Sequence, residues 1–462
     1  MKISSIKKAY FIGIKGAGMV GVAQILRSCN IEVSGSDTGE VFYTNAILKR
    51  CEIPFYEEFS LDHVPRDADI IIYSTAYNEK NNVEISEAKK LKIPIISYPE
   101  ALGMLFKEKR GIAVCGTHGK TTTSAMLAET LADAELNPSA IVGSQVISWQ
   151  GSALAGKGKY FVAEADEYQN KLMFYEPWSV ILTSLDWDHP DFFPDFSEYK
   201  KVFKSFLEKV PKEGFLVVWG DNANTLEVSR DAKCKISTYG FSSDCDYVVM
   251  NHKSQIANDG KTQSFEVFHE GKSLGIFMTP LVGKHNALNT TAVIALCHEM
   301  QLDMEKIKTS LKKFRGTSRR FEQIGMFKNS ILIDDYAHHP DEIRATLKGA
   351  REYFEGKKIW AVFHPHTFTR TKALLQEFAQ SFGDVDKVIV IDIYGSAREQ
   401  QGGVSSKELV DLINKYYPGR ADYIPNINDT SDFLKEAANQ YDVLITMGAG
   451  DVWKIAEQLK SL

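Results

Sequence analysis

The sequence predicts an α/β protein of three domains, each built on a mostly parallel sheet. Short apolar runs alternate with amphipathic helical stretches along the chain, which is typical of β-α-β units. This alternation restarts near residue 111 and again near residue 330. At roughly 100–200 residues per domain, a chain of 462 residues has room for two to four domains.

The first domain is predicted to be Rossmann-like and to span residues 1–108. Apolar runs at residues 10–14, 31–34, 70–74 and 93–97 are its predicted strands, and residues 21–29 form a predicted helix. The charged stretch at residues 107–110 ends this domain, because polar connectors commonly separate compact units.

The middle domain is predicted at residues 109–316 and the C-terminal domain at residues 317–462, with the charged stretch at residues 313–319 between them. Weak alternation over residues 251–271 indicates an antiparallel excursion within the middle domain. The C-terminal domain is predicted to be Rossmann-like. Strands are predicted at residues 111–115, 161–163, 180–183 and 215–218 of the middle domain and at residues 331–333, 359–363, 388–391 and 443–447 of the last.

Composition favours a soluble cytoplasmic protein. Apolar residues make up 44% and charged residues 25% of the chain, with a net charge of −6 that argues against a nucleic-acid partner. The sequence contains no apolar run of 18 residues, so we expect no membrane span. Its six cysteines show no C-x-x-C spacing, which argues against a zinc site or a disulfide framework.

The strongest motif is G-T-H-G-K-T-T-T at residues 116–123, between a predicted strand and a helix. Unpaired N–H groups at a helix N-terminus attract phosphate, and glycines let the backbone approach it. Lys120 is predicted to reach the β- and γ-phosphates, and Thr121 to ligate Mg²⁺. The whole loop is therefore predicted to bind ATP through Gly116, Thr117, His118, Gly119, Lys120, Thr121 and Thr122.

Acidic and histidine side chains follow the next two predicted strands. Glu164 ends one strand, and His189 comes just after another. Ligands of α/β sheets lie at the carboxyl ends of strands, so both residues are candidate Mg²⁺ ligands beside Thr121. Taken from the residues alone, a set of solvated acids and a histidine that caps a turn is an equal alternative.

A second glycine-rich loop contains G-x-G-x-x-G at Gly16, Gly18 and Gly21, after the first predicted strand. Asp37 follows about 20 residues later, where an acidic residue binds a ribose in dinucleotide sites. The literal interpretation is NAD binding. Any pyrophosphate meets the same backbone chemistry, so a UDP-sugar is an alternative, and a tight turn without ligand is a third.

Together these loops resemble the Mur ligase family of peptidoglycan synthesis, and the resemblance covers nearly the whole chain. It adds to the two glycine-rich loops five further motifs in the family's order. They are A-E-A-D-E at residues 163–167, G-K-H-N-A-L-N at 283–289, R-R-F-E at 319–322, D-D-Y-A-H-H-P at 334–340 and T-M-G-A-G at 446–450.

The resemblance implies a role for each domain. The first would hold a UDP-sugar, with Gly16, Gly18 and Gly21 near the pyrophosphate and Asp37 near the uridine or its ribose. The second would bind ATP with Mg²⁺. The family pattern further implies His285, Asn286 and Asn289 at the adenine (capping of their helix being the alternative), Asp335 at the ribose, Arg319 and Arg320 at the phosphates or the hinge, and Tyr336, His338, His366 and Arg370 in an amino-acid pocket.

The implied reaction joins L-alanine to the lactyl carboxylate of UDP-N-acetylmuramate through an acyl phosphate. Lys120, Glu164, His189, His338 and Arg370 would be its catalytic residues, in a monomer or weak homodimer. The alternative amine is the tripeptide L-Ala-γ-D-Glu-diaminopimelate, which a sister enzyme of wall recycling attaches. An NAD-dependent dehydrogenase leaves the P-loop unexplained, and a sensor without catalysis leaves Lys120, Glu164 and His189 unexplained.

Several positions depart from the pattern of the family branch that adds alanine. Lys15 stands where a glycine is usual, Ser184 where an asparagine is usual and Tyr168 where a serine is usual, and Thr367-Phe368 replaces Arg-Tyr near the expected amino-acid pocket. Some family members carry a carbamylated lysine that holds a second Mg²⁺. Lys204, 15 residues after His189, is the candidate for that role.

Overall fold

A computed structural model describes residues 2–42, 44–190, 192–257, 260–395 and 401–461. It contains three sheets, of five, ten and six strands, which confirms the predicted three-domain α/β architecture. Helices cover the sheets. Each helix in these described ranges is too short or too polar to cross a bilayer.

The first sheet is entirely parallel, with strand order β3-β2-β1-β4-β5. The direction of winding reverses between β1 and β4. The loops after β1 and β2 lie next to each other at the carboxyl edge because these two strands are parallel neighbours. The first strand ends at Ile12 rather than at residue 14, because Gly13 turns the chain with a φ of +80°. The elements are β1 (Lys8–Ile12), α1 (Ala17–Ser28), β2 (Glu32–Ser36), α2 (Thr44–Arg50), β3 (Phe55–Tyr56), β4 (Ile70–Tyr73), α3 (Val83–Lys90), β5 (Ile95–Ser97) and α4 (Tyr98–Glu108).

The second sheet has the order β15-β14-β13-β12-β11-β10-β6-β9-β7-β8. Its centre is parallel, and β8, β14 and β15 pair antiparallel with their neighbours, so the predicted excursion is confirmed and is longer than residues 251–271. The elements are β6 (Arg110–Cys115), α5 (Lys120–Asp133), β7 (Ser139–Val146), β8 (Gly151–Leu154), β9 (Tyr160–Glu164), β10 (Ser179–Leu182), α6 (Phe196–Leu207), β11 (Phe215–Trp219), α7 (Ala223–Ser229), β12 (Lys235–Gly240), β13 (Tyr247–Ala257), β14 (Gly260–His269), β15 (Lys272–Thr279), α8 (Lys284–Glu299) and α9 (Met304–Lys313).

The third sheet has the order β16-β17-β21-β18-β19-β20, and only β16 is antiparallel to its neighbour among the described strands. The carboxyl ends of β17, β21 and β18 are adjacent. The elements are β16 (Glu322–Phe327), β17 (Ser330–Asp335), α10 (Pro340–Tyr353), β18 (Ile359–Phe363), α11 (Phe368–Ala373), α12 (Leu375–Ala379), β19 (Lys387–Val390), α13 (Ser406–Tyr416), β20 (Ala421–Tyr423), α14 (Ile427–Glu436), β21 (Val443–Met447) and α15 (Trp453–Lys460).

Helix α1 packs the first domain onto the middle sheet. One apolar core contains buried residues of both, including Val22, Ile25, Ile141 and Phe161. The hydroxyl of Ser152 also donates to the carbonyl of Ala17 at 3.1 Å. The domain divisions after residues 108 and 316 stay predictions, and both positions lie between sheets.

Candidate active site

The phosphate loop joins β6 to α5 and turns at two glycines. Gly116 and Gly119 have φ values of +128° and +81°, which other residues rarely adopt. A Cβ on Gly116 would lie 2.5 Å from Thr183 Oγ1, and one on Gly119 would lie 2.6 Å from Asn289 Oδ1. Backbone conformation and close packing therefore both require glycine here.

Lys120 begins α5 and turns its ammonium back into this loop. Its Nζ donates to Gly116 O at 2.5 Å and to Thr117 O at 3.1 Å, and lies 3.3 Å from Glu167 Oε2. Burial disfavours the charged form, but the carboxylates of Glu167 and its neighbours raise the pKa of Lys120 above its ordinary value. The loop thus holds a permanently charged ammonium where a phosphate oxygen would be neutralised.

The sheet order places Glu164 beside the phosphate loop, because β9 is the neighbour of β6. Glu164 Oε1 accepts from Thr121 Oγ1 at 2.9 Å, and Oε2 accepts from Gly143 N at 2.7 Å. The structure therefore brings together two of the three residues that the sequence predicted as Mg²⁺ ligands.

His189 follows β10, the other neighbour of β6, and lies beside two further acids. Its Nε2 is 3.9 Å from Glu167 Oε1, and the ligand atoms of Asp166, Glu167 and His189 lie within 4.8 Å of one another. Asp166 and Glu167 were not assigned from the sequence, although the A-E-A-D-E motif contains them. Their carboxylates and the Thr121 hydroxyl offer the oxygen ligands that suit Mg²⁺.

A cavity of about 360 Å³ lies between the middle and C-terminal domains, next to the phosphate loop. Most of the side chains that line it are polar or charged, and aromatic and aliphatic side chains such as Trp219, Leu281 and Phe321 contribute the apolar part. Helix α8 is capped by Gly283 rather than by the polar residues that follow. The predicted nucleotide-binding residues that line this cavity are His118, Gly119, Thr122, His285, Asn286, Asn289 and Asp335.

Asp335 ends β17 and enters the cavity from the C-terminal domain. Its carboxylate accepts from Phe321 N at 2.7 Å and from Ala337 N at 2.8 Å. Burial nevertheless raises the pKa of Asp335 to about 6. The carboxylate is thus fixed in place and ionised at neutral pH.

His118 connects the phosphate loop to the C-terminal domain. Its Nδ1 lies 3.2 Å from Glu342 Oε1 on α10. Burial opposes the charged form of His118, but the hydrogen bond with Glu342 raises its pKa overall. Glu342 carries no sequence motif of its own, and only the packing of the two domains reveals it.

The family pattern implies Arg319 at the phosphates or the hinge, and in this structure its side chain bonds groups of the C-terminal domain. Arg319 Nε donates to Asp334 Oδ2 at 2.7 Å, and its two Nη atoms donate to Gly450 O at 3.0 Å and Gly448 O at 2.7 Å. These contacts hold the loop after β21 in place. Its neighbour Arg320 lines the cavity instead.

The residues of the predicted amino-acid pocket come together beyond the cavity. The ring centroids of Tyr336 and His338 are 5.2 Å apart, and those of His338 and His366 are 6.1 Å apart. Burial lowers the pKa of His338 to about 3, so its imidazole is neutral at pH 7. Tyr394, which the sequence did not single out, stacks on His366 at 5.7 Å.

Arg370 lies at the boundary of this group with the middle domain. Its Nε and Nη2 donate to Asp188 Oδ1 at 3.1 and 2.9 Å, and both residues are buried. Burial opposes the ionisation of Asp188, but the guanidinium of Arg370 holds its pKa well below the ordinary value. Asp188 immediately precedes His189, so one ion pair links the amino-acid pocket to the acidic cluster.

In the first domain, the glycines of the G-x-G-x-x-G motif have different neighbours. Gly16 is the N-cap residue of α1, and a Cβ on Gly18 would lie 2.4 Å from the Tyr98 ring. Gly21 packs against the middle domain, where its added Cβ would lie 3.2 Å from Ile141. Close domain packing therefore gives a structural reason for glycine at position 21, and its assignment to the pyrophosphate stays a prediction.

The hypothesis of a carbamylated metal ligand at Lys204 also fails. Lys204 lies on α6 with a half-exposed side chain, and its Nζ is 2.6 Å from Asp231 Oδ2. The ion pair with Asp231 therefore occupies the ammonium of Lys204. The acids that cluster with His189 are Asp166 and Glu167, and Lys204 is not part of that cluster. Tyr168 does reach the cluster, with its ring centroid 4.6 Å from that of His189.

Comparison with known protein families covers all three predicted domains. Residues 8–110 match the Mur ligase family catalytic domain, residues 114–297 the Mur ligase middle domain, and residues 319–450 the Mur ligase glutamate ligase domain. A curated relative from Desulfitobacterium hafniense, named UDP-N-acetylmuramate–L-alanine ligase, is 41% identical over 97% of this chain and 98% of its own. One of the same name from Caldanaerobacter subterraneus is 38% identical over 99% and 98%.

Solved structures of Mur ligases also match this chain over nearly its full length. The UDP-N-acetylmuramate-alanine ligase of Thermotoga maritima matches with a TM-score of 0.82 and 28% identity over 98% of both chains. A murein peptide ligase from Psychrobacter arcticus shares the fold, with a TM-score of 0.71 and 23% identity over 98% of both chains. The three matched domains and the full-length relatives together establish that the chain belongs to the Mur ligase family.

Proposed function

We propose that this chain is an ATP-dependent ligase that joins L-alanine to the lactyl carboxylate of UDP-N-acetylmuramate in peptidoglycan precursor synthesis. The observation that carries the proposal is the position of Lys120. It lies among acids in the loop whose residues His118, Gly119 and Thr122 line the cavity. One of those acids, Asp188, pairs with Arg370 of the amino-acid pocket. The curated relatives that match over nearly the full chain carry this activity in their names.

The first chemical step is phosphoryl transfer. A lactyl carboxylate oxygen attacks the γ-phosphorus of ATP, the bond to the β,γ-bridging oxygen breaks, and ADP leaves. Lys120 neutralises charge on the transferring group, because its ammonium is fixed and charged before the reaction begins. The loop after β6 supplies the backbone N–H groups that cradle the phosphates.

The second step forms the amide. The α-amine of L-alanine attacks the acyl-phosphate carbonyl, the C–O bond to phosphate breaks, and inorganic phosphate and a proton are released. A carboxylate alone offers no leaving group to an amine at pH 7, so phosphorylation must come first. His338 is neutral at this pH and lies at the amino-acid pocket, so it suits acceptance of a hydrogen bond from the amine, whereas its lowered pKa makes it too weak a base to take the amine's proton.

Thr121, Glu164, Asp166, Glu167 and His189 are the residues that would hold Mg²⁺. The fit rests on the short contact between Thr121 and Glu164 and on the clustering of the other three side chains. A bound Mg²⁺ would supply charge neutralisation at the phosphates. In this structure the Lys120 ammonium bonds Glu167 and the Thr121 hydroxyl donates to Glu164. These contacts offset part of the electrostatic repulsion among the carboxylates.

Release of phosphate from MgATP with UDP-N-acetylmuramate tests the proposal, with L-alanine, glycine, L-serine and L-Ala-γ-D-Glu-diaminopimelate compared as amines. We expect release that depends on the sugar and is fastest with L-alanine. Release with the tripeptide alone would assign the chain to wall recycling. Absence of release with every amine would overturn the ligase assignment.

The raised pKa of Asp335 predicts that ATP binding weakens in mild acid. The ionised carboxylate accepts hydrogen bonds from a ribose better than the protonated one does. Below pH 6 the KM for ATP should therefore rise by about tenfold per pH unit, following one protonation. The folded-state pKa of about 6 lies above the ordinary 3.8, so the contribution of this group to stability is full below pH 3.8 and is lost as pH rises to about 6.

Initial rates at varied ATP between pH 5 and pH 8 measure this effect. Asp335→Asn should give a KM for ATP that is raised and nearly independent of pH, since the titrating group is gone. A slope below pH 6 that is the same in this variant and in the wild type would assign the titration to another group.

A further inference from the structure

Lys15 is the most completely buried lysine of the first domain, although a charged side chain in a glycine-rich loop is unexpected. It follows β1 and is 2% exposed. Its Nζ donates to Thr38 O at 2.7 Å and to Glu40 O at 2.9 Å, and lies 3.3 Å from Glu57 Oε1. An ammonium has three donors, so these three acceptors use all of them.

The backbone of the same residue holds the adjacent acid. Lys15 N donates to Asp37 Oδ2 at 2.7 Å, while Thr38 N donates to Asp37 Oδ1 at 2.8 Å. Lys15 O in turn accepts from Thr44 Oγ1 at 2.6 Å, at the start of α2. Hydrogen bonds of Lys15 therefore fix the position of both the loop after β2 and the start of helix α2.

This loop lies where a ligand of the first domain would bind. Strands β1 and β2 are parallel neighbours, so the loops that follow them lie side by side at the carboxyl edge of the sheet. The loop after β1 also borders the switch point between β1 and β4, the usual position of nucleotides in such sheets. Val41 and Phe42 of the loop are 79% and 40% exposed, so the segment presents an apolar surface next to Asp37. A flat nucleobase is a suitable partner for such a surface.

We propose that Lys15 is a positioning residue for the uridine diphosphate part of the sugar substrate. It acts through residues 38–42 and Asp37, because its own donors are already satisfied and leave none for a pyrophosphate. Holding the loop in its binding conformation before the ligand arrives removes an ordering cost from the binding free energy. This inference rests on the proposed assignment of the first domain to a UDP-sugar.

Titration calorimetry with UDP-N-acetylmuramate, without ATP or alanine, tests the inference on the full chain. Lys15→Met should raise the Kd about tenfold, as expected if the binding conformation falls to about a tenth of the population. Amide hydrogen exchange of residues 38–42 should become faster. In turnover, the KM for the sugar should rise while kcat and the KM for ATP stay within about twofold, because the phosphate loop is untouched.

Lys109→Met is the matched control. Lys109 Nζ donates to Ser139 Oγ and to the carbonyls of Gly156 and Gly158, at 2.8, 2.8 and 3.0 Å, so its ammonium also has three acceptors, but it is partly exposed and lies away from this loop. It should leave the Kd for the sugar unchanged. Glu57→Ala removes the exposed acceptor of the Lys15 ammonium and should raise the Kd for the sugar about threefold. This variant tests the positioning role if Lys15→Met does not fold.

Unchanged affinity in Lys15→Met or, if that protein does not fold, in Glu57→Ala would overturn the positioning role. An equal rise in the KM for ATP would do so as well, because the effect would then be a general loss of structure. Wild-type protein that binds the sugar without turning it over would refute the ligase function while leaving the role of Lys15 decided by the Kd values.

Discussion

Replacing Lys120 with methionine should lower phosphate release by about 10³-fold, the range seen when a fixed charge is removed from a phosphoryl-transfer site. Methionine keeps the length and the apolar stem of the side chain but cannot neutralise the phosphate. The ammonium of Lys120 already contacts the carbonyls of Gly116 and Thr117, so its removal also leaves the loop without an internal anchor. Steady-state release with saturating sugar and L-alanine measures the loss.

Lys209→Met provides a control for Lys120→Met in the same domain. Lys209 Nζ donates to the carbonyls of Leu172, Met173 and Tyr175, at 3.3, 2.7 and 3.2 Å. The control should lower thermal stability modestly and keep the rate. If Lys120→Met retained more than a tenth of the wild-type rate, charge neutralisation by this residue would not be central to the reaction.

The second large effect is expected at the ion pair between the domains. Arg370→Met leaves Asp188 buried without its charged partner, a change that typically costs about 3–5 kcal/mol. The protein can avoid this cost by separating the two domains, so the assembled site becomes rare. We expect kcat/KM for L-alanine to fall by at least about 10²-fold, with a smaller effect on ATP binding to the middle domain.

Two further variants separate the contributions to this effect. Asp188→Asn combined with Arg370→Met should recover stability, since no charge is left unpaired, but should not recover activity. Arg351→Met is the matched control, because Arg351 Nη2 bonds Asp386 Oδ2 at 2.8 Å within the C-terminal domain and both side chains are partly exposed. Loss of this partly exposed ion pair should lower the free energy of unfolding by about 1 kcal/mol or less. Equal kcat/KM values for Arg351→Met and Arg370→Met would contradict a special role for the Arg370 pair.

Local sequence was sufficient for the phosphate loop and for most strands. The motif at residues 116–123 requires glycines for its backbone and Lys120 for its charge, and both requirements are satisfied within eight residues. Buried parallel strands are continuous apolar runs, so the run at residues 443–447 predicted β21 with its observed ends. Short strands such as β3 and the antiparallel β8 were missed, because a few residues carry too weak a pattern.

The site residues also divide into those that a local motif predicted and those whose contacts only the structure shows. Thr121 and Glu164 were predicted as partners because strand ends near a P-loop converge in any sheet of this class. Glu167 and Asp166 lay within a recognised motif, yet only their distances to His189 show which carboxylates cluster. The family pattern implied Arg319 at the phosphates or the hinge, and only the structure shows that its guanidinium donates to carbonyls of the loop after β21.

The sequence by itself determined the fold class, the phosphate loop and the family, because each depends on residue types at fixed short spacings. Tertiary structure alone decided the contacts between segments that are far apart in the chain. Arg370 and Asp188 are separated by 182 residues, and His118 and Glu342 by 224. Whether such charges meet depends on strand order and on the packing of one domain against another, and a linear pattern of residues does not encode that distance.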